Sequence, residues 1–222
     1  MTNVSPQTPG LDANDLEALS LTTGADYWTT AKASGFGIKS IRLADGPHGL
    51  RVQDDENPDH LGLERSAPAT CFPPAVTLAS SWDVELIEKV GEALGKEARA
   101  AGVNVVLGPG LNIKRSPLCG RNFEYYSEDP LLTGILAGAA ARGLQSKGVA
   151  ACLKHFAVNN QETDRLRVSA NVAERPLREI YLRAFQIALR ECVRLVRDVV
   201  LQPDQRRFCV AKSLVANAGA SR

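Results

Sequence analysis

Apolar residues recur every three or four positions in three long stretches beyond residue 80, a spacing that predicts amphipathic helices. The stretches are 81–102, 131–148 and 173–192. The first helix is predicted to begin at a cap formed by Ser81 or Asp83 and to stop at Gly102, and Pro130 suits the first turn of the second. Two short apolar runs, 103–110 and 149–156, lie between the helices and are predicted to be strands.

The apolar faces of the first and third helices can be assigned from the same spacing. In the first helix the face comprises Val84, Ile87, Val90, Ala93 and Leu94. In the third it comprises Leu177, Ile180, Tyr181, Ala184, Phe185, Ile187 and Ala188. Glu179 and Arg183 are four residues apart in the third helix, which predicts an ion pair on its surface.

The strands are continuous apolar runs rather than alternating ones, which indicates a parallel sheet covered on both faces. The predicted fold class is therefore α/β. The pattern alone leaves two architectures open, a partial (β/α)8 barrel and an open sheet. A complete barrel typically needs about 250 residues, and this chain has 222.

Composition narrows the classes of partner and compartment. The formal net charge of +1 and an aromatic content of 5% give no basis for nucleic-acid binding. No window reaches the roughly 20 apolar residues that span a bilayer, and the first residues do not form a signal peptide. The five cysteines are scattered without paired spacing, which favours reduced thiols over disulfides or a metal site. We therefore expect a cytoplasmic protein without a membrane or nucleic-acid partner, while its oligomeric state stays open.

Three polar segments have the character of strand ends, where α/β proteins keep their binding sites. They are 43–51 (LADGPHGLR), 108–129 (GPGLNIKRSPLCGRNFEYYSED) and 154–165 (KHFAVNNQETDR). Their charged members are Asp45, Arg51, Arg121, Lys154, His155, Glu162, Asp164 and Arg165. Carboxylates accept hydrogen bonds from hydroxyls and Arg or Lys donate them, so this lining suits a small polyhydroxylated ligand. A phosphate site is disfavoured because LGPGLN lacks the Lys-Ser or Lys-Thr ending of a P-loop.

Each of these residues also has a purely structural interpretation. Asp45 precedes Gly-Pro and can initiate a turn. Arg121 and Glu124 can form a surface ion pair that contributes less than about 1 kcal/mol. Lys154 and His155 are neighbours, so on a strand one of them would point into the core.

The segments DGPHGLR, GRNFEYYSEDP and KHFAVNNQE, in that order, resemble the N-terminal barrel domain of glycoside hydrolase family 3 in its β-glucosidase branch. The resemblance covers residues 17–191. The β-N-acetylglucosaminidase branch has a stretch similar to KHFPGHG, from which KHFAVNN departs. The resemblance implies a partial (β/α)8 TIM-like barrel that is truncated before it closes.

The same resemblance implies a glucose pocket built from five residues. Asp45 matches the carboxylate that grips sugar hydroxyls deep in the pocket, and Arg51 matches the arginine that closes this motif. Arg121 matches the pocket arginine, and Lys154 with His155 matches the adjacent pair that holds hydroxyls on the opposite side. In the family these residues bind and orient the sugar, and no metal or cofactor takes part.

The family's two catalytic carboxyl groups have no counterpart in the sequence. Retaining glycosidases need a nucleophile and an acid/base about 5–5.5 Å apart. The resemblance implies an aspartate nucleophile in an SDW-like motif and an acid/base from a later domain, and the printed sequence contains no SDW. We therefore expect no catalytic residue in this chain.

The last segment, 192–222, is unlike the rest and is interpreted as an aberrant tail. Reverse translation of RDVVLQPDQRR, read one base later, is compatible with VMSSYNPING, which resembles the family's next strand. The predicted organisation is a partial barrel domain over residues 1–191 and an out-of-frame tail over 192–222. An alternative is a basic amphipathic tail, since the segment has six Lys or Arg residues against two Asp.

The sequence therefore predicts the family activity, hydrolysis of terminal non-reducing β-D-glucosyl residues with retention, with a β-glucoside or glucose as the ligand. The 222-residue chain by itself is expected to be inactive and poorly stable. The alternative is a non-catalytic sugar-binding pseudoenzyme or regulatory module.

Overall fold

The structure is a computed structural model that describes residues 12–53, 66–165 and 167–192. The tail beyond Cys192 lies outside the described residues, and so do both predictions for it. Cys192 is the last described residue of this segment and lies in a helix.

After a short first helix, each of the described strands is followed by one or two helices. They are α1 (Ala13–Ser20), β1 (Leu43–Ala44), α2 (Ala75–Ala79), α3 (Val84–Ala100), β2 (Val105–Val106), α4 (Pro130–Gln145), β3 (Ala150–Ala151), α5 (Glu174–Pro176) and α6 (Leu182–Cys192). A 3-10 turn, Asn122–Glu124, lies between β2 and α4, and a π turn, Leu177–Tyr181, joins α5 to α6.

The predicted helix starts are confirmed by their caps. The Asp83 carboxylate accepts a hydrogen bond from the Leu86 amide at the start of α3. The Asp129 carboxylate accepts from the Leu131 and Leu132 amides at the start of α4, and Pro130 occupies its first turn. A side-chain acceptor at this position satisfies amides that the first helical turn leaves without partners.

The three strands form one parallel sheet in the order β1-β2-β3, which confirms the α/β class. Leu43 pairs with Val105, and Val105 pairs with Ala150. The regular strands are shorter than the predicted runs because the Gly108-Pro109 step interrupts β2 and proline has no amide hydrogen to donate. Pairing resumes beyond it, where the Lys154 amide donates to the Pro109 carbonyl and the Leu111 amide to the Lys154 carbonyl.

Helix α4 packs between α3 and α6 and is buried along most of its length. Small residues allow the close approach, since a Cβ at Gly143 would overlap the Glu88 carbonyl and one at Gly134 would overlap Ile187. Arg142 joins all three helices, because its guanidinium bonds Glu88 on α3 and Glu191 on α6, each at 3.0 Å.

The apolar face predicted for the third helix is confirmed at its centre, where Tyr181, Ala184, Phe185, Ile187 and Ala188 are buried. The predicted pair between Glu179 and Arg183 is wrong. Glu179 instead bonds Arg175 at 3.0 Å, and Arg183 bonds Gln186. The π turn Leu177–Tyr181 widens the helix at this point, so residues four apart across it no longer share a face.

Within the part of the chain that the structure describes, we find no helix long and apolar enough to cross a bilayer.

Replacement of Gly143 by alanine should destabilise the protein by about 1–3 kcal/mol, because the added methyl group has no space against the α3 backbone. Gly120→Ala is the control, since a Cβ there meets nothing within 4 Å. Urea unfolding followed by circular dichroism measures both. Equal midpoints for the two variants would contradict the close contact between α3 and α4.

Candidate functional site

The segments that follow the three strands bring their polar side chains together at one edge of the sheet. Asp45 directly follows β1 and Lys154 follows β3, and the Lys154 ammonium donates to the Asp45 carboxylate at 2.7 Å. The loop after β2 adds Arg121 and Glu124. The parallel order of the strands explains this convergence, because their carboxyl ends lie on the same side.

Asp45 has both a structural and an ionic role. Its carboxylate accepts from the Gly46 amide at 2.8 Å, and its carbonyl accepts from the Arg51 amide at 2.9 Å, so it does shape the turn. Burial raises the pKa of Asp45, but the charge and hydrogen bond of Lys154 act against this, and the pKa lies below its usual value. Its side chain is 41% exposed whereas that of Lys154 is 5% exposed. The site therefore presents an ionised carboxylate that a solute can reach.

The interpretation of Arg121 and Glu124 as a surface pair is wrong. The 3-10 turn Asn122–Glu124 turns the Glu124 carboxylate inward, where its side chain is only 6% exposed and bonds Arg121 Nε. Its second oxygen lies 3.9 Å from Lys154 Nζ. Burial lowers the pKa of Arg121, but the hydrogen bond and charge of Glu124 outweigh this, and the pKa is raised. Glu124 thus holds both cations of the site.

Lys154 and His155 both reach the site although they are neighbours, because the regular strand β3 ends at Ala151 and Lys154 pairs only through an isolated bridge to Gly110. His155 Nε2 lies 2.7 Å from Arg121 Nη2, and His155 Nδ1 lies 3.0 Å from the Tyr125 hydroxyl. Asn112 fixes the backbone of this segment. Its amide group donates to the His155 and Ala157 carbonyls at 2.8 and 3.0 Å, and its oxygen accepts from the His155 amide at 2.6 Å.

The remaining predicted candidates lie further out. Glu162 is at the rim, 3.8 Å from Arg121 Nη1, and Arg165 contacts Glu162 from an exposed position. Asp164 is exposed and has a positive φ of 53°. Arg51 is tied to Asp45 through its backbone, and its side chain is exposed.

Four residues of the site were not among the predicted candidates. These are Asn112, Glu124, Tyr125 and Asn159, of which the first three are buried. All four occur in the polar segments that the sequence indicates, but the prediction selected charged residues of obvious chemistry. A signal was present in Asn112, a lone amide within the apolar context LGPGLNI. A buried amide needs partners, so its position indicates a structural hydrogen-bonding role.

The arrangement suits hydroxyl recognition better than proton transfer. Both inner carboxylates are paired with cations, Asp45 with Lys154 and Glu124 with Arg121. Lys154 holds the pKa of Asp45 below its usual value, so this carboxyl group is not a ready proton donor. The described residues contain no group of three His, Cys, Asp or Glu side chains placed to hold a metal ion.

In the comparison with known proteins, both the family model and the sequence relatives that match this chain are glycoside hydrolases. The model of the glycosyl hydrolase family 3 N terminal domain matches residues 47–206. Thermostable beta-glucosidase B of Acetivibrio thermocellus is 55% identical over 175 residues, which is 79% of this chain and 23% of that protein. Exo-alpha-(1->6)-L-arabinopyranosidase of Bifidobacterium longum is 55% identical over 170 residues, which is 77% of this chain and 22% of that protein.

Solved structures agree with the sequence relatives. Beta-glucosidase 3B from Thermotoga neapolitana in complex with alpha-D-glucose has a TM-score of 0.72 at 45% identity, over 80% of this chain and 26% of that one. Beta-glucosidase from Kluyveromyces marxianus in complex with glucose has a TM-score of 0.73 at 38% identity, over 82% of this chain and 20% of that one. The chain spans about a quarter or less of the length of these proteins. The boundary between a domain at 1–191 and a tail at 192–222 stays a prediction.

Acid should destabilise the fold through His48, which lies in the segment between Asp45 and Arg51. Burial lowers the pKa of His48 from 6.5 to about 4, and the charge of Lys154 acts in the same direction, while the Glu124 backbone and the Asp45 charge oppose it. The folded state thus prefers the neutral ring. This contribution to stability is complete above pH 6.5 and is lost as the pH falls toward 4.

Between pH 7 and pH 4 the free energy of unfolding should fall less in His48→Phe than in the wild type. The difference between the two losses should be at most on the order of 3 kcal/mol. Urea unfolding at several pH values measures the difference. Parallel stability curves for the two proteins would show that His48 is not the titrating group.

Proposed function

The chain belongs to glycosyl hydrolase family 3, and on this premise we propose that it supplies the sugar-holding part of a retaining enzyme that hydrolyses terminal non-reducing β-D-glucosyl residues. The observation that carries the proposal is the cluster of Asp45, Arg121, Glu124, Lys154 and His155 after three parallel strands. Two of the structural relatives are complexes with glucose, which supports the same ligand class.

The chemistry of the cluster supports a binding role. A sugar hydroxyl can donate to the exposed Asp45 carboxylate while it accepts from Lys154 or Arg121, and charge-assisted hydrogen bonds of this kind are strong. In the whole enzyme such contacts would contribute to rate where they strengthen as the sugar ring flattens toward its oxocarbenium-like transition state. Binding and bond cleavage are then carried by different residues.

We also propose that the sheet is the first part of a (β/α)8 barrel. The sequential strand order and the intervening helices support this arrangement. The barrel would place the sugar at the carboxyl ends of its strands, where the cluster lies.

The 222-residue polypeptide alone is proposed to hold a sugar without cleaving it, because its inner carboxylates are ion-paired and its sequence lacks the SDW motif.

A second candidate function is an exo-acting L-arabinopyranosidase. It is supported by the Bifidobacterium longum relative, which matches this chain at the same 55% identity as the Acetivibrio thermocellus protein.

Calorimetric titration of the purified chain with D-glucose, gluconolactone and L-arabinose tests these proposals. We expect saturable glucose binding that falls at least about tenfold in Asp45→Ala, because the ionised acceptor is lost. Asp164→Asn is the matched control, since Asp164 is exposed, lies away from the cluster, and asparagine tolerates its positive φ.

The outcomes separate the candidates. Preference for L-arabinose over glucose favours the second function, and absence of any sugar binding contradicts the sugar-holding role. Saturable binding without turnover also fits a non-catalytic module. Turnover of an aryl β-glucoside that Asp45→Ala abolishes would overturn the proposed inactivity of the isolated chain.

A further inference from the structure

His48 lies in the middle of the turn formed by residues 45–51, and its ring is buried beside the polar cluster. Both ring nitrogens are shielded from solvent, and neither has a hydrogen-bond partner among the described residues. The Glu124 backbone lies near the ring, but no hydrogen bond of ordinary geometry joins them. Buried polar groups without a partner are rare in folded proteins because they cost about 1–3 kcal/mol each. The ring is therefore held in place by its turn rather than by hydrogen bonds of its own.

The turn can hold the ring because it is packed tightly against two other segments. The Phe72 amide donates to the His48 carbonyl at 2.8 Å. Pro47 lies so close to Gly108 that a Cβ at Gly108 would be 2.6 Å from the proline Cβ. The ring can thus reach water only if the turn moves away from these neighbours.

The charges around the ring make its protonation unfavourable in this position. Lys154 acts on it from the segment after β3, and Asp45 acts on it from the first position of the turn. The Glu124 carboxylate faces Arg121 and Lys154. A proton added to His48 would place a second cation beside the Lys154 ammonium. It would also make both ring nitrogens donors, and neither has an acceptor in contact within the described part of the chain.

We propose that His48 is a positioning residue that makes sugar binding sensitive to acid, because the turn at residues 45–51 holds Asp45 against Lys154 only while the His48 ring is neutral. The inference rests on the proposed function, since the sugar is the ligand whose binding the turn controls. Protonation favours an opened turn in which the ring reaches water. Asp45 is the first residue of the turn and its carbonyl accepts from the Arg51 amide at 2.9 Å, so opening displaces its carboxylate from Lys154.

The pKa values of the two residues support this assignment. Burial and the charge of Lys154 lower the pKa of His48 from 6.5 to about 4 while the turn is closed. Exposure in an opened turn restores the ordinary value, so closure is fully favoured above pH 6.5 and loses its advantage as the pH falls toward 4. Burial raises the pKa of Asp45, but Lys154 outweighs this and holds it below 3.8, so Asp45 remains ionised over the same interval.

Calorimetric titration with glucose at pH 7, 5.5 and 4.5 tests the consequence for binding. The fraction of closed turn sets the apparent affinity, so the affinity of the wild type should fall at least about fivefold from pH 7 to pH 4.5. The fall should be at least about threefold smaller in His48→Phe, which has no proton to gain at this position. His155 is present in both proteins, so any contribution from its titration cancels in the comparison. Equal falls in the two proteins overturn the proposal.

Amide hydrogen exchange of the wild type tests the turn without a substitution and without sugar. After correction for the intrinsic pH dependence of exchange, protection at the Arg51 and Phe72 amides should fall at least about tenfold between pH 6.5 and pH 4.5. At pH 4.5 it should also be lower than in the interior of α4, because the turn opens while the helices stay folded. Unchanged protection at the two amides, or protection equal to that of α4, overturns the inference.

The two measurements separate this inference from the proposed function. If the wild type binds no sugar at any pH, the proposed function fails, and the exchange data decide whether acid opens the turn. If glucose binds with the same affinity at every pH, the proposed function stands and the role of His48 is overturned.

Discussion

The site depends on one buried charge, the ammonium group of Lys154. Its side chain is 5% exposed, and an ammonium ion in such surroundings is costly unless carboxylates compensate it. Asp45 and Glu124 do so from two other segments of the chain. The ends of all three strands must therefore lie in register, because a shift of any one would leave a buried ion without its partner. The geometry of the sheet therefore determines the geometry of the polar cluster at the carboxyl ends of its strands.

The helices support that register, because Leu94 and Ala98 of α3 and Leu144 of α4 pack with strand residues in one buried cluster. Helix α4 lies against α3 and α6 over small residues, and Arg142 links the three by ion pairs. Gly143 and Gly134 have no side chain to separate the helix axes. Close packing of this kind transmits displacement with little loss, so the strands connected to these helices have little freedom to move. A rigid support of this type suits the role proposed for the site, which is to orient several hydroxyl groups at once.

The sequence predicts the periodic elements well and the interior of the loops poorly. Helices α3 and α4 follow from their apolar spacing and caps, because Asp83, Asp129 and Pro130 act through local geometry. The pairing of Glu179 with Arg183 fails because a π turn changes the helix period, which no local pattern announces. From the sequence Glu124 is expected on the surface. In the structure it is buried beside Lys154, which lies thirty residues later in the chain. Loops of this kind are determined by distant partners, and sequence spacing does not encode those.

The bond between Lys154 and Asp45 has a consequence for folding kinetics, because it joins residues 109 positions apart. Closing a loop of this length costs conformational entropy, and contacts of such long sequence separation are associated with slower folding. Local helices can form before the polar contacts at the carboxyl ends of the strands are made. The binding-competent population is then the fully folded one, and a sugar that binds it would shift the folding equilibrium by mass action. The proposed sugar would therefore raise the free energy of unfolding by an amount set by its concentration and its dissociation constant.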